Sequence, residues 1–352
     1  LFLQGPPGTG KTFQSANAIV ELLKKNKRIA VTANSHKVIH NLLERVEKIA
    51  EKQSFLFKGL KMGNPDNEDT FYKGKLIKTD KNERHYIDGL KERNTLLYAG
   101  TKYHLSQWYY RSKIDYLFID EASQLSIADL IALGGVAKNI ILVGDQLQLG
   151  QPTQGSHPGL SNNSVLDYLL QGKDTVEDNR GIFLSRTYRM HPNINSFISE
   201  NFYENKLLTN PENKNRKIDF PKNFFLNNEG IHTILMDHED CTQTSEQEFK
   251  KIDEIIKKLI GRKFTDADNK ERPLTIEDFL IVSPYNAQVN FLLARLPEGT
   301  RCGTIDRFQG QEAPVTIISM TSSDLESLPR DKSFFFNRNR LNVAISRAQC
   351  LS

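Results

Sequence analysis

Leu1-Phe2-Leu3-Gln4-Gly5-Pro6-Pro7-Gly8-Thr9-Gly10-Lys11-Thr12 is the stretch that decides the fold. Four residues of strand character run into Gly-x-x-x-x-Gly-Lys-Thr. Ala16, Ile19, Val20, Leu22 and Leu23 then recur at helical spacing up to the basic end Lys24-Lys25-Asn26-Lys27. Strand, glycine loop and helix, in that order, are the context in which this motif holds phosphate. The glycines let the backbone curl so that its N–H groups face an anion, and the helix N-terminus adds a favourable dipole. Gly8, Thr9 and Gly10 are therefore expected to cradle nucleotide phosphates, and Lys11 to reach the β- and γ-phosphates. The Thr12 hydroxyl is expected to ligate Mg²⁺.

Such a loop needs a carboxylate at a second strand end to hold the magnesium through water. Tyr116-Leu117-Phe118-Ile119-Asp120-Glu121-Ala122-Ser123 supplies it, because a run of buried-strand character ends in paired acids. Asp120 reads as the metal-side acid, and Glu121 as the base that takes a proton from the attacking water.

Outward from these motifs, short β-rich runs alternate with amphipathic segments, the pattern of an α/β fold. Strands are expected at Arg28–Ala33, Thr95–Tyr98, Tyr116–Ile119 and Asn139–Val143, and a second series at Gly230–Met236, Asp278–Val282, Cys302–Ile305 and Val315–Met320. Helices are expected near Glu246–Leu259, Ala287–Leu296 and Leu341–Arg347. A polar stretch, Gln151–Asn163, separates the two series, and the 352 residues exceed one ordinary core. The expectation is α/β throughout: residues 1–180 and 181–352 as two domains, each a mostly parallel sheet flanked by helices. Residues from about 51 to 94 are lysine-rich and weakly periodic, and read as an insertion on the first domain.

Lys plus Arg number 47 and Asp plus Glu 43, a net charge of +4 that neither demands nor forbids a nucleic-acid partner. Cys241, Cys302 and Cys350 are far apart, so no metal cluster or disulfide framework is expected. No apolar run approaches the roughly 18 residues of a membrane span, and no secretory signal is visible. A soluble, cytoplasmic protein is expected, in contact with no membrane. The chain opens at Leu1 inside an apolar run, so further sequence is expected upstream.

Four more boxes follow in order: Gly144-Asp145-Gln146-Leu147-Gln148, Arg186-Thr187-Tyr188-Arg189-Met190-His191-Pro192, Asp306-Arg307-Phe308-Gln309-Gly310-Gln311-Glu312, and Arg340-Leu341-Asn342-Val343-Ala344-Ile345-Ser346-Arg347-Ala348. With the glycine loop and the Asp-Glu-Ala-Ser box, this order resembles the superfamily 1 helicases over essentially the whole chain. It is most similar to the 5′→3′ branch of the nonsense-mediated-decay helicase and senataxin, and within it to bacterial members fused to RecB-like nucleases.

The resemblance implies two RecA-like domains that close on ATP and Mg²⁺, and a single strand of nucleic acid, DNA favoured over RNA. By position, it makes Arg189 and Arg347 the cations that reach the γ-phosphate and Gln148 the γ-phosphate sensor. It places Tyr188 on the adenine and Glu312 on the ribose. Ser35 and His36 in the segment Thr32–His36, Thr101, and Ser283 and Pro284 match the segments that grip the strand, although each also reads as a strand-end turn. His36 and His191 read as structural hydrogen-bonders more readily than as metal ligands. The family's upstream adenine-reading glutamine and β-barrel have no counterpart here. A monomer is expected, with a nuclease or accessory domain possible upstream in the parent chain. The expected function is an ATP-dependent helicase or translocase core that runs 5′→3′. The alternative is an ATP-gated nucleic-acid-binding module of a larger nuclease. A remodelling ATPase of the AAA type is disfavoured by the Gln-Gly-Gln-Glu and Ser-Arg-Ala boxes.

Overall fold

Ile29-Ala30-Val31-Thr32 (β2, Ile29–Thr32) is buried at every position, as a parallel strand covered on both faces must be. The computed structural model in which it lies describes residues 1–92, 94–150, 159, 163–221, 224–308, 310–323 and 337–352. Gln309 and most of the polar stretch Gln151–Asn163 lie outside the described residues.

The chain divides into two units. The first comprises Leu1–Pro6, Gly10–Gln146 and Gly150–Leu184; the second comprises Pro7–Thr9, Leu147–Leu149 and Ser185–Ser352. In the first, β1 (Phe2–Gln4), β2, β3 (Gly59–Met62), β4 (Ile77–Asp80), β5 (Leu97–Ala99), β6 (Ile114–Ile119), β7 (Ala137–Gly144) and β8 (Gly181–Phe183) form one parallel sheet of eight strands. Their order is β4-β3-β5-β2-β6-β7-β1-β8. Because β8 pairs with β1, the first unit runs on to Leu184 and not only to residue 180.

Alternation along β6 feeds two apolar layers, since successive side chains point to opposite faces. Phe118 packs with Val31, Leu97 and Val143 beneath α1 (Lys11–Lys24) and α2 (His36–Lys52). Leu117 and Ile119 pack on the other face with Tyr86, Tyr98 and Leu166, from β5, α3 (Glu83–Glu92) and α6 (Val165–Leu170). Helix α2 buries Ile39, Leu42, Leu43, Val46 and Ile49 along one stripe. The weakly periodic residues 51–94 are not merely an outgrowth. They carry β3 and β4, which extend the sheet, and α3.

In the second unit, β14 (Phe279–Val282), β15 (Arg301–Gly303), β16 (Ala313–Ile318) and β17 (Ala348–Leu351) form a parallel sheet in the order β15-β14-β16-β17. α8 (Glu246–Leu259) and α9 (Asn286–Leu293) cover its apolar face through Ile252, Ile256, Val289 and Leu292. Ahead of them lie β9 (Arg186–Thr187), α7 (Pro192–Phe202), β10 (Leu208–Thr209) and β11 (Lys217–Ile218). β12 (Lys263–Thr265) and β13 (Glu271–Pro273) pair antiparallel beside β11, and α10 (Arg338–Ile345) leads into β17. The expected strand Gly230–Met236 does not form. Gly230 makes an isolated parallel bridge to Leu351, His232 N donates to Ser352 O, and the chain then leaves the sheet with Leu235 91% exposed.

Candidate nucleotide and single-strand sites

In open parallel sheets, ligands gather at the carboxyl ends of the strands. In the first unit Lys11 and Thr12, past β1, and the pair Asp120 and Glu121, past β6, lie there. Gly10 takes φ +79 at the start of α1 and Gly8 takes φ +73, left-handed conformations that favour glycine and let the loop curl. Lys11 Nζ donates to Gly5 O at 2.6 Å, so the ammonium lies back over the loop, and Thr12 follows in the first turn of α1.

Asp120 is buried at the end of β6, tied to β2 by its N–H on Thr32 O at 2.9 Å, and its Oδ1 accepts from Glu121 N at 2.9 Å. Burial pushes its carboxyl above the ordinary value; the charge of Glu121 adds to the rise and that of Lys11 opposes it. Glu121 itself sits at φ +52, where a non-glycine residue is strained, as functional strand ends often are. These residues fit a phosphate and a magnesium ion. A divalent cation beside Asp120 would replace the solvation that the carboxylate lost on burial, and Lys11 is near enough to share the load.

In the second unit, His191 caps α7: its Nδ1 accepts from Asn193 N at 3.2 Å, and burial lowers its pKa, which keeps the ring neutral. That is the hydrogen-bonding role expected for it. Just upstream, Arg189 Nε lies 2.5 Å from Glu312 Oε2 and its Nη1 donates to Ser346 O at 3.1 Å. Gln349 Nε2 donates to the other Glu312 oxygen at 2.8 Å. Burial alone would raise the Glu312 carboxyl, but Arg189, the Gln349 bond and the charge of Arg216 together hold the group below its ordinary value. Arg347 is buried, with Nη1 on Gln311 O at 3.2 Å. The Tyr188 ring is 56% exposed, while its carbonyl accepts from Arg216 Nη2 at 3.3 Å. Gln148 is half-buried in Leu147–Leu149. Arg189, Glu312 and Arg347 thus converge in one unit. Gln349 and Arg216 join them without any sequence signal beyond the neighbouring Ser-Arg-Ala box.

The expected strand contacts occupy strand ends in both units. Ser35 caps α2, its Oγ accepting from Val38 N at 3.3 Å, and His36 is the first helical residue, its pKa lowered by burial and by Lys61. Thr101 follows β5 and opens α4 (Lys102–Leu105) without a side-chain capping bond. Pro284 is half-buried after β14, but Ser283 is fully buried, its Oγ 3.2 Å from Thr321 Oγ1. Ser283 is therefore turned inward, and this end of the sheet is organised by a residue that sequence reading missed. Glu248 on α8 accepts from Ser319 Oγ and, at 2.8 Å, from Thr321 N; His238 Nε2 lies 3.5 Å away. Gln288 Nε2 donates to Ser319 Oγ at 3.0 Å and completes the network. One of three glutamates in an amphipathic helix, Glu248 gave no sign of this in the sequence.

One AAA domain family matches residues 162–351 and a second AAA domain family matches residues 1–161. The chain is similar to the DNA polymerase alpha-associated DNA helicase A of Schizosaccharomyces pombe, 27% identical over 98% of this chain and 59% of that protein. It is also similar to the Regulator of nonsense transcripts 1 homolog of Drosophila melanogaster, 27% identical over 99% of this chain and 32% of that protein. A third relative is the DNA replication ATP-dependent helicase/nuclease dna2 of S. pombe, 25% identical over 98% of this chain and 25% of that protein. The chain thus spans between about a quarter and three fifths of the length of these relatives. Among solved structures, Arterivirus nonstructural protein 10 (helicase) in complex with DNA matches with a TM-score of 0.53 and 15% identity, over 99% of this chain and 59% of that one. At that identity the likeness is one of fold, two RecA-like units in tandem.

Proposed function

Because the chain belongs to the AAA domain family and to the superfamily 1 helicases, in the branch of the regulators of nonsense transcripts, we propose that it is an ATP-hydrolysing helicase or translocase core. Its track is single-stranded nucleic acid, DNA before RNA. The observation that carries this reading is the grouping of Lys11, Asp120 and Glu121 at the strand ends of the first unit, with Asp120 buried and strained toward neutrality.

Gly8, Thr9 and Gly10 would turn backbone N–H groups to the phosphates, and Lys11 would exchange the Gly5 carbonyl for a phosphate oxygen. Thr12 and Asp120 would hold Mg²⁺, which supplies charge neutralisation on the phosphate oxygens when bound. Glu121 would orient the attacking water and take its proton. Arg189 and Arg347 would stabilise charge on the transferring phosphoryl group, with Gln148 as sensor. Tyr188, exposed to solvent, would stack on adenine, and Glu312 would bond the ribose in exchange for Arg189 or Gln349. Ser35, His36, Thr101 and Pro284 would meet the strand at the sheet ends, with Ser283 acting through Thr321. The direction, 5′→3′, rests on the order and content of the later boxes.

The test is ATP turnover with and without oligothymidylate, and strand displacement from duplexes with a 5′ or a 3′ tail at low salt, where phosphate contacts are strongest. Turnover should rise with the strand, and only 5′-tailed duplexes should open. Displacement from 3′ tails alone would overturn the direction. Stimulated turnover without displacement would favour an ATP-gated clamp, and turnover indifferent to any strand would overturn the motor.

A further inference from the structure

Directly after Thr101 comes Lys102-Tyr103-His104-Leu105-Ser106-Gln107-Trp108-Tyr109-Tyr110-Arg111-Ser112-Lys113. This stretch holds three cations and four aromatic residues and no carboxylate. The structure divides the rings into two sets. Tyr109 and Tyr110 face inward with His104, whose Nε2 lies 2.6 Å from the Tyr110 hydroxyl. Tyr110 meets Tyr98 edge to face at 5.8 Å between centroids, and His104 meets Tyr86 likewise at 4.8 Å. Burial drives the pKa of His104 down to about 4, so the ring sits in this cluster uncharged. The segment is further pinned by Lys102, whose Nζ donates to Asp129 Oδ2 at 2.6 Å on α5 (Ile127–Leu133).

The other set faces solvent. Tyr103 is 73% exposed and Trp108 75%, more than any other aromatic side chain among the described residues. Trp108 meets Tyr109 edge to face at 5.8 Å between centroids, and the Lys102 ammonium lies 5.4 Å from the Tyr103 ring. Arg111 and Lys113 are exposed. Large rings on rigid backbone lose little conformational freedom when something packs on them. Exposed rings on a segment that leaves the carboxyl end of β5, one of them beside the Lys102 ammonium, match the chemistry of single-strand binding. There, bases of any sequence stack on aromatic faces and the backbone tracks positive charge.

We propose that Tyr103 and Trp108, on the segment that leaves the carboxyl end of β5, offer a base-stacking platform for single-stranded nucleic acid on the first unit. This rests on the nucleic-acid reading above and adds to it residues outside the boxes that carried the resemblance. It predicts little base preference, because every base has a face to stack.

The chain has one tryptophan, so emission excited beyond the tyrosine band reports Trp108 alone. Oligothymidylate should quench the emission along the same curve that anisotropy of a labelled strand traces. An oligonucleotide of abasic sites should bind more weakly and quench little. Trp108→Ala and Tyr103→Ala should each weaken binding by about 5- to 140-fold, the ~1–3 kcal/mol of one stacked base. Trp108→Phe should recover most of the loss, and turnover without a strand should be unchanged in all three. Strand binding with unaltered emission, or with full affinity in the alanine variants, would overturn the platform and leave the helicase reading standing. If no strand bound at all by anisotropy, both would fall together.

Discussion

The guanidinium of Arg189 is held by the carboxylate of Glu312, 2.5 Å from Nε to Oε2, while Gln349 occupies the other oxygen at 2.8 Å. Both partners are proposed to serve the nucleotide, one at the γ-phosphate and one at the ribose, yet here they satisfy each other. Arg189 can therefore meet a phosphate only by exchanging one anion for another, which limits the free energy it adds to ground-state binding and favours a role late in the reaction.

Arg189→Ala should accordingly lower ATP turnover by roughly 10³ or more while leaving the KM for ATP within a few-fold. Arg189→Lys should not restore it, since a point charge cannot reproduce the planar fork that bonds Glu312 and Ser346 together. Steady-state kinetics on protein of unchanged circular dichroism decides the matter. Equal losses in affinity and turnover would mark Arg189 as a structural residue.

Lys11 and Glu121 should fail differently. Lys11→Ala removes the cation proposed to face the phosphates, and nucleotide binding should be lost in equilibrium dialysis or fluorescence titration. Glu121→Gln keeps the shape of the site and removes only the proton acceptor, so binding should persist and hydrolysis should fall by about 10²–10⁴. Wild-type turnover in Glu121→Gln would show that another group activates the water.

Asp278 gives the second unit a pH-dependent strut. Burial alone would raise its carboxyl, but two Arg272 bonds of 2.6 Å each, and bonds from Thr275 N at 2.8 Å and Thr275 Oγ1 at 3.1 Å, hold it below the ordinary aspartate value. A depressed folded pKa contributes stability that is complete above the unfolded value and is lost as pH falls through the folded one. Asp278→Asn should cost about 2–3 kcal/mol at pH 7. The gap between wild type and variant in thermal melts should close steadily below about pH 4. A gap that stayed constant to pH 2.5 would mean that the carboxylate charge is not what Arg272 reads.

The candidate nucleotide site could be read from sequence because its chemistry needs neighbours along the chain. Gly8, Gly10, Lys11 and Thr12 share one turn, and Asp120 and Glu121 close one strand. Residues brought together over long separations could not be. Gln349 and Glu312 meet from different strand ends, and Glu248 reaches Thr321 from a helix whose pattern announces only amphipathicity. The same limit governs the fold. β3 and β4 read as a solvated insertion because their alignment comes from Glu47 on α2, which accepts from Tyr72 OH at 3.0 Å, Leu76 N at 2.7 Å and Ile77 N at 2.8 Å. Conversely, Ile231–Met236 has strand-like composition, but after Gly230 and His232 it loses its neighbour on β17 and nothing pairs with it as a ladder.

Glu248 offers the last prediction, because it lies behind a proposed strand contact without facing solvent. Removing its carboxylate leaves the Thr321 N–H, the Ser319 hydroxyl and His238 short of an acceptor in a buried place, and an unmet buried donor costs about 1–3 kcal/mol. Glu248→Ala should thus lower the melting temperature, by about 2–4 °C for each kcal/mol in a domain of this size. Glu248→Gln keeps an oxygen for Thr321 N and should lose less. Thr321 also fixes Ser283, with the two hydroxyls 3.2 Å apart at the end of β14, so relaxation there should reach Pro284. At temperatures where Glu248→Ala remains folded, the strand concentration for half-maximal stimulation of turnover should rise several-fold, with the KM for ATP unchanged. A melting loss with no change in that concentration would show that the network only braces the sheet, and that Ser283-Pro284 does not bear on the strand.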